Sequence, residues 1–167
     1  SGENLADATT STGFRFSSIP NSEPQSFIRG IAINRFLGSG VNPELSNNIT
    51  IEGCFVGTDP TGTIDLGNKR GFYLNQSSNI TIGGDTATER NVISGNNFIA
   101  IDTFGGSNIN IIGNYLGTDI SGMTALPNST VIQMQSSFCS IGGTAAERNV
   151  ISANTGLRAV ILSNASN

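Results

Sequence analysis

The chain reads Ile49-Thr50-Ile51-Glu52-Gly53-Cys54-Phe55-Val56-Gly57-Thr58-Asp59 and, sixty residues later, Ile109-Asn110-Ile111-Ile112-Gly113-Asn114-Tyr115-Leu116-Gly117-Thr118-Asp119. A second segment, Glu89-Arg90-Asn91-Val92-Ile93-Ser94, returns unchanged as residues 147–152, at an offset of 58. The spacing of the second pair of segments is therefore two residues shorter than the spacing of the first pair. Slips of this size fall in loops, so the sequence predicts stacked structural units joined by loops of adjustable length.

Three kinds of short β-rich run follow one another cyclically between these repeats. The first kind comprises residues 71–75, 98–102, 131–135 and 159–163; the second comprises 48–51, 79–82 and 108–111; the third comprises 55–56, 92–93, 115–116 and 150–151. Apolar and polar side chains alternate in them, and runs of one kind recur at whole-coil spacing rather than at hairpin spacing. The pattern predicts an all-β fold, a right-handed parallel β-helix of about five coils with three short strands per coil.

The pattern covers the chain as a single β-helix segment, 1–167. Residues 1–24 form an irregular first coil with a strand at 13–16, and residues 25–162 form regular coils. Neither end carries a capping motif, and an uncapped stack exposes strand edges. We therefore expect a segment of a longer protein, or a homo-oligomer that forms through the uncapped ends.

Composition excludes several classes of protein. Charged residues make up 12% of the chain, the net charge is −4, and the 8 Lys and Arg residues are scattered, whereas nucleic-acid binding requires clustered cations. The chain has no His, which excludes Cys/His zinc sites and Ser-His-Asp triads. The sequence contains no run of 18 apolar residues, so it predicts no membrane span. Cys54 and Cys139 are predicted to lie on different faces about three coils apart, and hence to be reduced and inert.

One turn position is occupied by asparagine in successive coils, as Asn48, Asn79 and Asn108. Asn tolerates the left-handed backbone conformation, and stacked Asn side chains can hydrogen-bond along the coil axis. The fourth coil has Phe138-Cys139 at this turn. We expect a ladder of hydrogen-bonded asparagines that stops there.

The recurring motifs resemble a known family. Asn114 to Asp119, with the segment Ile141 to Asn154 and its counterpart Ile82 to Asn96, is similar to the bacterial right-handed parallel β-helix repeat proteins, which are related in fold to the pectate-lyase-like superfamily. The resemblance covers about Phe27 to Leu162. It implies a secreted or cell-surface bacterial protein, in a family that occurs alongside enzymes acting on polysaccharides.

Such enzymes place clustered carboxylates, often with Arg, Lys, His or Ca²⁺, on the outer face of the first kind of strand. Here the expected outward rows are Tyr73, Ala100, Gln133 and Ile161, then Asn75, Asp102, Gln135 and Ser163. Asp102 is the only acid among them, whereas hydrolysis uses two carboxylates about 5 to 9.5 Å apart. We therefore predict no catalytic group, with Asp102 as the candidate if catalysis occurs. The candidate ligand-binding residues are Tyr73, Asn75, Gln133 and Gln135.

Two repeated polar motifs are expected to be structural. Asp59 and Asp119 each precede a Thr/Ser-Gly pair, where a carboxylate closes an Asx-type turn by accepting backbone N–H bonds. Ca²⁺ is the alternative for these two residues, but each loop offers one carboxylate and Ca²⁺ takes six to eight oxygens. No cofactor is therefore predicted. For Glu89-Arg90 and its repeat, Glu147-Arg148, we expect Glu to cap a short turn and Arg to reach loop carbonyls, and a repeated ligand site is the alternative.

These observations favour a rigid, non-catalytic stalk or adhesin-like module of a secreted or surface protein, which binds a polysaccharide or a protein. The alternative is a lyase, hydrolase or epimerase of the pectate-lyase-like type whose acidic groups lie outside this span or are assembled at an oligomer interface. A trimeric fibre or tailspike module is a further alternative.

Overall fold

The computed structural model describes residues 11–163 and shows sixteen short strands in that range. In chain order they are β1 (Phe14–Ser17), β2 (Ser26–Arg29), β3 (Ala32–Ile33), β4 (Ser39–Glu44), β5 (Asn47–Glu52), β6 (Phe55–Val56), β7 (Arg70–Asn75), β8 (Ser78–Gly83), β9 (Val92–Ile93), β10 (Ile99–Ser107), β11 (Ile109–Ile112), β12 (Tyr115–Leu116), β13 (Thr130–Ser137), β14 (Ser140–Ile141), β15 (Val150–Ile151) and β16 (Val160–Leu162). Residues 1–10 and 164–167, which belong to the predicted segment, lie outside the described residues.

Every third strand joins the same sheet, and every pairing between strands is parallel. The first sheet has the order β1-β4-β7-β10-β13-β16, the second β2-β5-β8-β11-β14, and the third β3-β6-β9-β12-β15. Five coils of three strands are therefore complete, and a sixth begins with β16. The predicted all-β parallel β-helix is confirmed. Within residues 11–163 no helix is long and apolar enough to cross a membrane.

The interior of the coil is filled by rows of aliphatic side chains, each stacked on its equivalent in the next coil. Fully buried examples are Phe72 on Ile101 on Ile132 in the first sheet, and Ile49 on Ile80 on Ile109 in the second. Burial of each such side chain contributes roughly 1.5–3 kcal/mol. Alternation along the first kind of strand predicts that Leu162 points inward, but Leu162 is 71% exposed because no described strand pairs with the far side of β16.

The strand β4 was missing from the sequence prediction. Its sequence, Ser39-Gly40-Val41-Asn42-Pro43-Glu44, contains three residue types that are depleted in strands. Val41 nevertheless takes the core position beneath Phe72 and is fully buried. The parallel neighbours on both sides therefore override the local propensity of the segment.

The predicted asparagine ladder is present at the turn between the first and second sheets. Asn48, Asn79 and Asn108 have φ of 57°, 56° and 56°. The side-chain amide of Asn79 donates to Asn48 Oδ1 at 3.2 Å, and that of Asn108 donates to Asn79 Oδ1 at 2.7 Å. Phe138 follows in the same backbone conformation, with φ 51°, and is 89% exposed, so the ladder stops there as expected.

The other two corners hold asparagine ladders that were not predicted, and these are buried except at their last members, Asn149 and Asn154, which are partly exposed. One ladder runs through Asn68, Asn96, Asn128 and Asn154, and the other through Asn91, Asn114 and Asn149. In each step the Nδ2 group donates to Oδ1 of the next asparagine, and the same Oδ1 accepts the backbone N–H of the previous one. The ladders thus satisfy backbone groups where the chain leaves one sheet for the next, as burial requires.

Candidate functional site

The outer face of the first sheet has a register that differs from the prediction. Asp102 pairs with Tyr73 on one side and with Gln133 on the other, whereas Asn75 and Gln135 pair with Phe104. Asp102 was expected beside Asn75 and Gln135, and that expectation is wrong by two residues.

A shift of two keeps the inward and outward alternation intact, so apolar spacing alone does not detect it. Two residues of β10 make the correct register difficult to predict from the sequence. Thr103, a polar residue, is fully buried in the row of Leu74 and Met134. Ala100, which was expected to face outward, is also fully buried.

Asp102 and Arg70 form an ion pair on this face. Arg70 Nε donates to Asp102 Oδ2 at 3.0 Å, and their side chains are 28% and 10% exposed. Burial raises the pKa of Asp102, and the positive charge of Arg70 acts in the opposite direction. A carboxyl group with a raised pKa that is paired with a specific cation is a feature enriched in functional sites.

Two aromatic rings lie beside Arg70 in this ion pair. The guanidinium of Arg70 lies 5.2 Å from the ring centroid of Tyr73 and 5.1 Å from that of Phe98. Phe98 is 45% exposed and Phe104 is 50% exposed. The planar charge of Arg70 is thereby held by cation–π contacts within about 6 Å of two rings.

The face as a whole combines exposed rings with amide side chains. Asn75, Gln133 and Gln135 are partly buried beside the aromatic residues, and Asn75 Nδ2 donates to Glu44 Oε1 at 3.5 Å. Binding sites for small ligands have this composition, with aromatic surface for contact area and a few polar groups for orientation. We refer to Arg70, Tyr73, Phe98, Asp102 and Phe104, with these three amides, as the aromatic face.

The carboxylates on this face are far apart. Glu44 shares the row of Asn75 and Phe104, so it lies two coils from Asp102 and two residues further along the strand. Strand spacing and rise place their Cα atoms about 12 Å apart. Glu44 is also occupied by an ion pair with Arg15. Among residues 11–163, this face therefore lacks the pair of neighbouring carboxylates used in glycoside hydrolysis.

Asp59 and Asp119 close their own loops in the manner of an Asx turn. Asp59 Oδ1 accepts the N–H groups of Thr63 and Ile64 at 2.9 Å each, and its Oδ2 accepts the Thr61 hydroxyl at 2.6 Å. The Thr61 hydrogen bond is the main cause that lowers the pKa of Asp59 to about 2. Asp119 repeats the arrangement with the Ser121 hydroxyl at 2.6 Å, and its pKa is also about 2.

No group of three or more His, Cys, Asp or Glu side chains in residues 11–163 is placed to hold a metal ion. Both cysteines are free thiols, as predicted. Cys54 is fully buried and donates to the carbonyl of Glu52, and burial raises the pKa of both thiols.

Sequence reasoning identified Tyr73, Asn75, Gln133 and Gln135 as ligand-binding candidates, and the structure places all four on the aromatic face. It missed Arg70, Phe98 and Phe104, which supply the charge and most of the exposed aromatic surface. The 29-residue spacing of Asn79 and Asn108 was the signal that could have aligned Asp102 with Tyr73. Comparisons with protein-family models, with curated proteins and with solved structures found no match.

Proposed function

We propose that this chain is a rigid, non-catalytic module that binds glycans through the aromatic face. The observation that supports this proposal is the exposure of Phe98 and Phe104 beside Tyr73 and the Arg70–Asp102 pair. Exposed rings of this kind stack on the C–H faces of sugar rings, and the neighbouring amides and charges bind sugar hydroxyls. The strands lie in a continuous sheet, so the site requires little ordering when a ligand binds.

The setting of the module is proposed from the resemblance of its motifs to bacterial β-helix repeat proteins. That resemblance supports a secreted or cell-surface location and a stalk or adhesin-like role. A surface dominated by amides and hydroxyls, with 12% charged residues, fits a protein that presents neutral hydrogen-bonding groups to a polymer.

A polysaccharide-acting enzyme is the second candidate, and Asp102 is the observation that favours it. A largely buried carboxyl group with a raised pKa beside Arg70 could transfer a proton in a lyase or epimerase reaction. No carboxylate of residues 11–163 lies beside Asp102 on this face, which argues against hydrolysis by the paired mechanism.

The test is retention of the chain on a panel of neutral and acidic polysaccharides, with and without Ca²⁺, with release of new chain ends measured in parallel. Phe98→Ala and Phe104→Ala should each weaken retention at least about fivefold, which corresponds to roughly 1 kcal/mol. Phe27→Ala is the matched control, because Phe27 is 48% exposed and lies 3.9 Å from the guanidinium of Arg29, but on the second sheet.

Equal losses in all three variants would refute the assignment to the aromatic face. Release of chain ends that disappears in Asp102→Asn would replace the binding proposal with the enzyme. Sedimentation of the same samples would show whether the chain is a trimer, which is the expectation for a fibre or tailspike module.

A further inference from the structure

A second candidate site lies on the outside of the third sheet, where the segment 84–90 folds over the coil. Gly53 N–H donates to the carbonyl of Glu89 at 3.0 Å, which anchors this segment to the preceding coil. Glu89 Oε2 accepts the N–H of Thr86 at 3.1 Å and its hydroxyl at 2.9 Å. The Glu89 carboxylate is therefore occupied in capping its own turn, as was predicted.

Arg90, the next residue, is held rigidly but has no acidic partner. Its Nε donates to the Gly113 carbonyl at 3.0 Å, its Nη1 donates to the Tyr115 hydroxyl at 3.3 Å, and the guanidinium lies 4.4 Å from the Tyr115 ring centroid. Among residues 11–163, none accepts a hydrogen bond from Nη2 and no carboxylate forms an ion pair with Arg90. Arg90 is thus a partly buried positive charge, and its Nη2 group donates no hydrogen bond to residues 11–163.

Arg90 lines a cavity of about 320 Å³ with mostly apolar walls. The lining side chains other than Arg90 are Phe55, Val92, Ala87, Ile120 and Thr88, and Gly53 contributes backbone. None of them is acidic. The Phe55 wall is fixed because the loop at Gly62 packs against it: a Cβ on Gly62 would lie 3.2 Å from the Phe55 ring and 3.1 Å from Ile120 Cβ.

We propose that this cavity binds a carboxylate attached to a small apolar group. The apolar walls would bury the hydrocarbon part, and the Arg90 guanidinium would supply the charge-assisted hydrogen bond to the carboxylate. The volume lies at the lower end of the range for ligand sites, which fits a branched alkyl or single-ring acid. The proposal is independent of glycan binding at the aromatic face.

The same chemistry is found in two sources, a free carboxylic acid and the carboxyl terminus of a peptide that ends in an apolar residue. The first experiment titrates the chain with 4-methylpentanoate and with acetyl-Gly-Leu, each beside its uncharged amide, and follows NMR chemical shifts. We expect at least one acid to bind with a Kd below about 1 mM and its amide to bind at least about tenfold more weakly. Binding of the free acid, of the peptide or of both identifies the source.

Three variants locate the binding. Arg90→Gln and Ile120→Asp should each weaken acid binding about tenfold or more, because the first removes the charge and the second adds a repelling carboxylate. Arg70→Gln, on the aromatic face, should leave the affinity unchanged. Thermal midpoints confirm that each variant is folded, and the half-exposed Ile120 provides a test that does not disturb the hydrogen bonds of Arg90.

The proposal is overturned if neither acid shifts any resonance up to about 20 mM, if the amides bind as well as the acids, or if both pocket variants bind like the wild type. It is also overturned if glucuronate, a carboxylate on a polar ring, binds more tightly than both apolar acids.

Discussion

Replacing Asn96 with alanine tests the inference that the buried asparagine ladders hold the coils together. The residue is 1% exposed, its Nδ2 donates to Val56 O and Asn128 Oδ1 at 3.0 Å each, and its Oδ1 accepts the Asn68 N–H at 3.3 Å. The Val56 carbonyl retains the Ser94 N–H at 3.1 Å, but the Asn68 N–H loses its acceptor.

One orphaned buried donor costs about 1–3 kcal/mol, and the other lost hydrogen bonds and the small cavity add about 1 kcal/mol. We therefore expect the free energy of unfolding to fall by roughly 2–4 kcal/mol in Asn96→Ala. For a chain of this size the thermal midpoint should fall by roughly 5–15 °C. Urea unfolding followed by circular dichroism measures the first quantity, and hydrogen exchange of the Asn68 amide tests the local cause.

Asn97→Ala is the matched control, because it makes the same chemical change at the adjacent, exposed position. It should alter stability by less than about 0.5 kcal/mol. The reasoning is refuted if the two variants are equally stable, or if the Asn68 amide keeps its protection in Asn96→Ala.

Three further predictions concern acid stability, a glycine and a thiol. Folding lowers the pKa of Asp59 and Asp119 to about 2, below the usual value of about 3.9. The contribution of the two carboxylates to the stability of the fold is therefore complete above pH 4 and is lost as the pH falls towards 2. The urea unfolding midpoint should drop in that pH window, and it should drop less in the double variant Asp59→Asn, Asp119→Asn. Gly83 has φ 93°, and a Cβ at this position would lie 1.9 Å from the carbonyl oxygen of Ile112, so Gly83→Ala should prevent folding or lower the free energy of unfolding by several kcal/mol. Gly30 has φ 64° and open space around it, so Gly30→Ala should lower the free energy of unfolding by only about 1 kcal/mol, and urea unfolding measures both changes. The buried Cys54 thiol should react with a disulfide reagent no faster than the chain unfolds. Fast labelling of Cys54 in the folded chain would contradict its position in the core.

The fold could be predicted because its signal is repeated in every coil. Ile49, Ile80 and Ile109 each start an apolar–polar alternation after the same asparagine, so one error in reading a coil is corrected by its neighbours. The strand β4 was missed because Gly40, Asn42 and Pro43 disfavour strands, and the parallel partners on both sides explain why it forms.

The candidate site could be predicted only in part. Outward positions of Tyr73 and Gln133 followed from alternation, but the partner of Asp102 depended on a register that alternation does not fix. The exposure of a side chain is equally hard to predict from the residues next to it in the sequence. Asn96 and Asn97 are identical neighbours, yet Asn96 is buried in a ladder and Asn97 is exposed to solvent. The recurrence of asparagine at Asn68, Asn128 and Asn154 marks the difference.

Parallel pairing across coils also determines how the protein would respond to mechanical tension. Within residues 11–163 each strand pairs only with its equivalents in the coils before and after, about 30 residues away along the chain, so a pulled end peels away one coil at a time. At 3.3–3.6 Å per residue, every released coil lengthens the chain by about 100 Å. Stretching should therefore proceed in equal steps, with each step requiring the rupture of one rung of the corner asparagines.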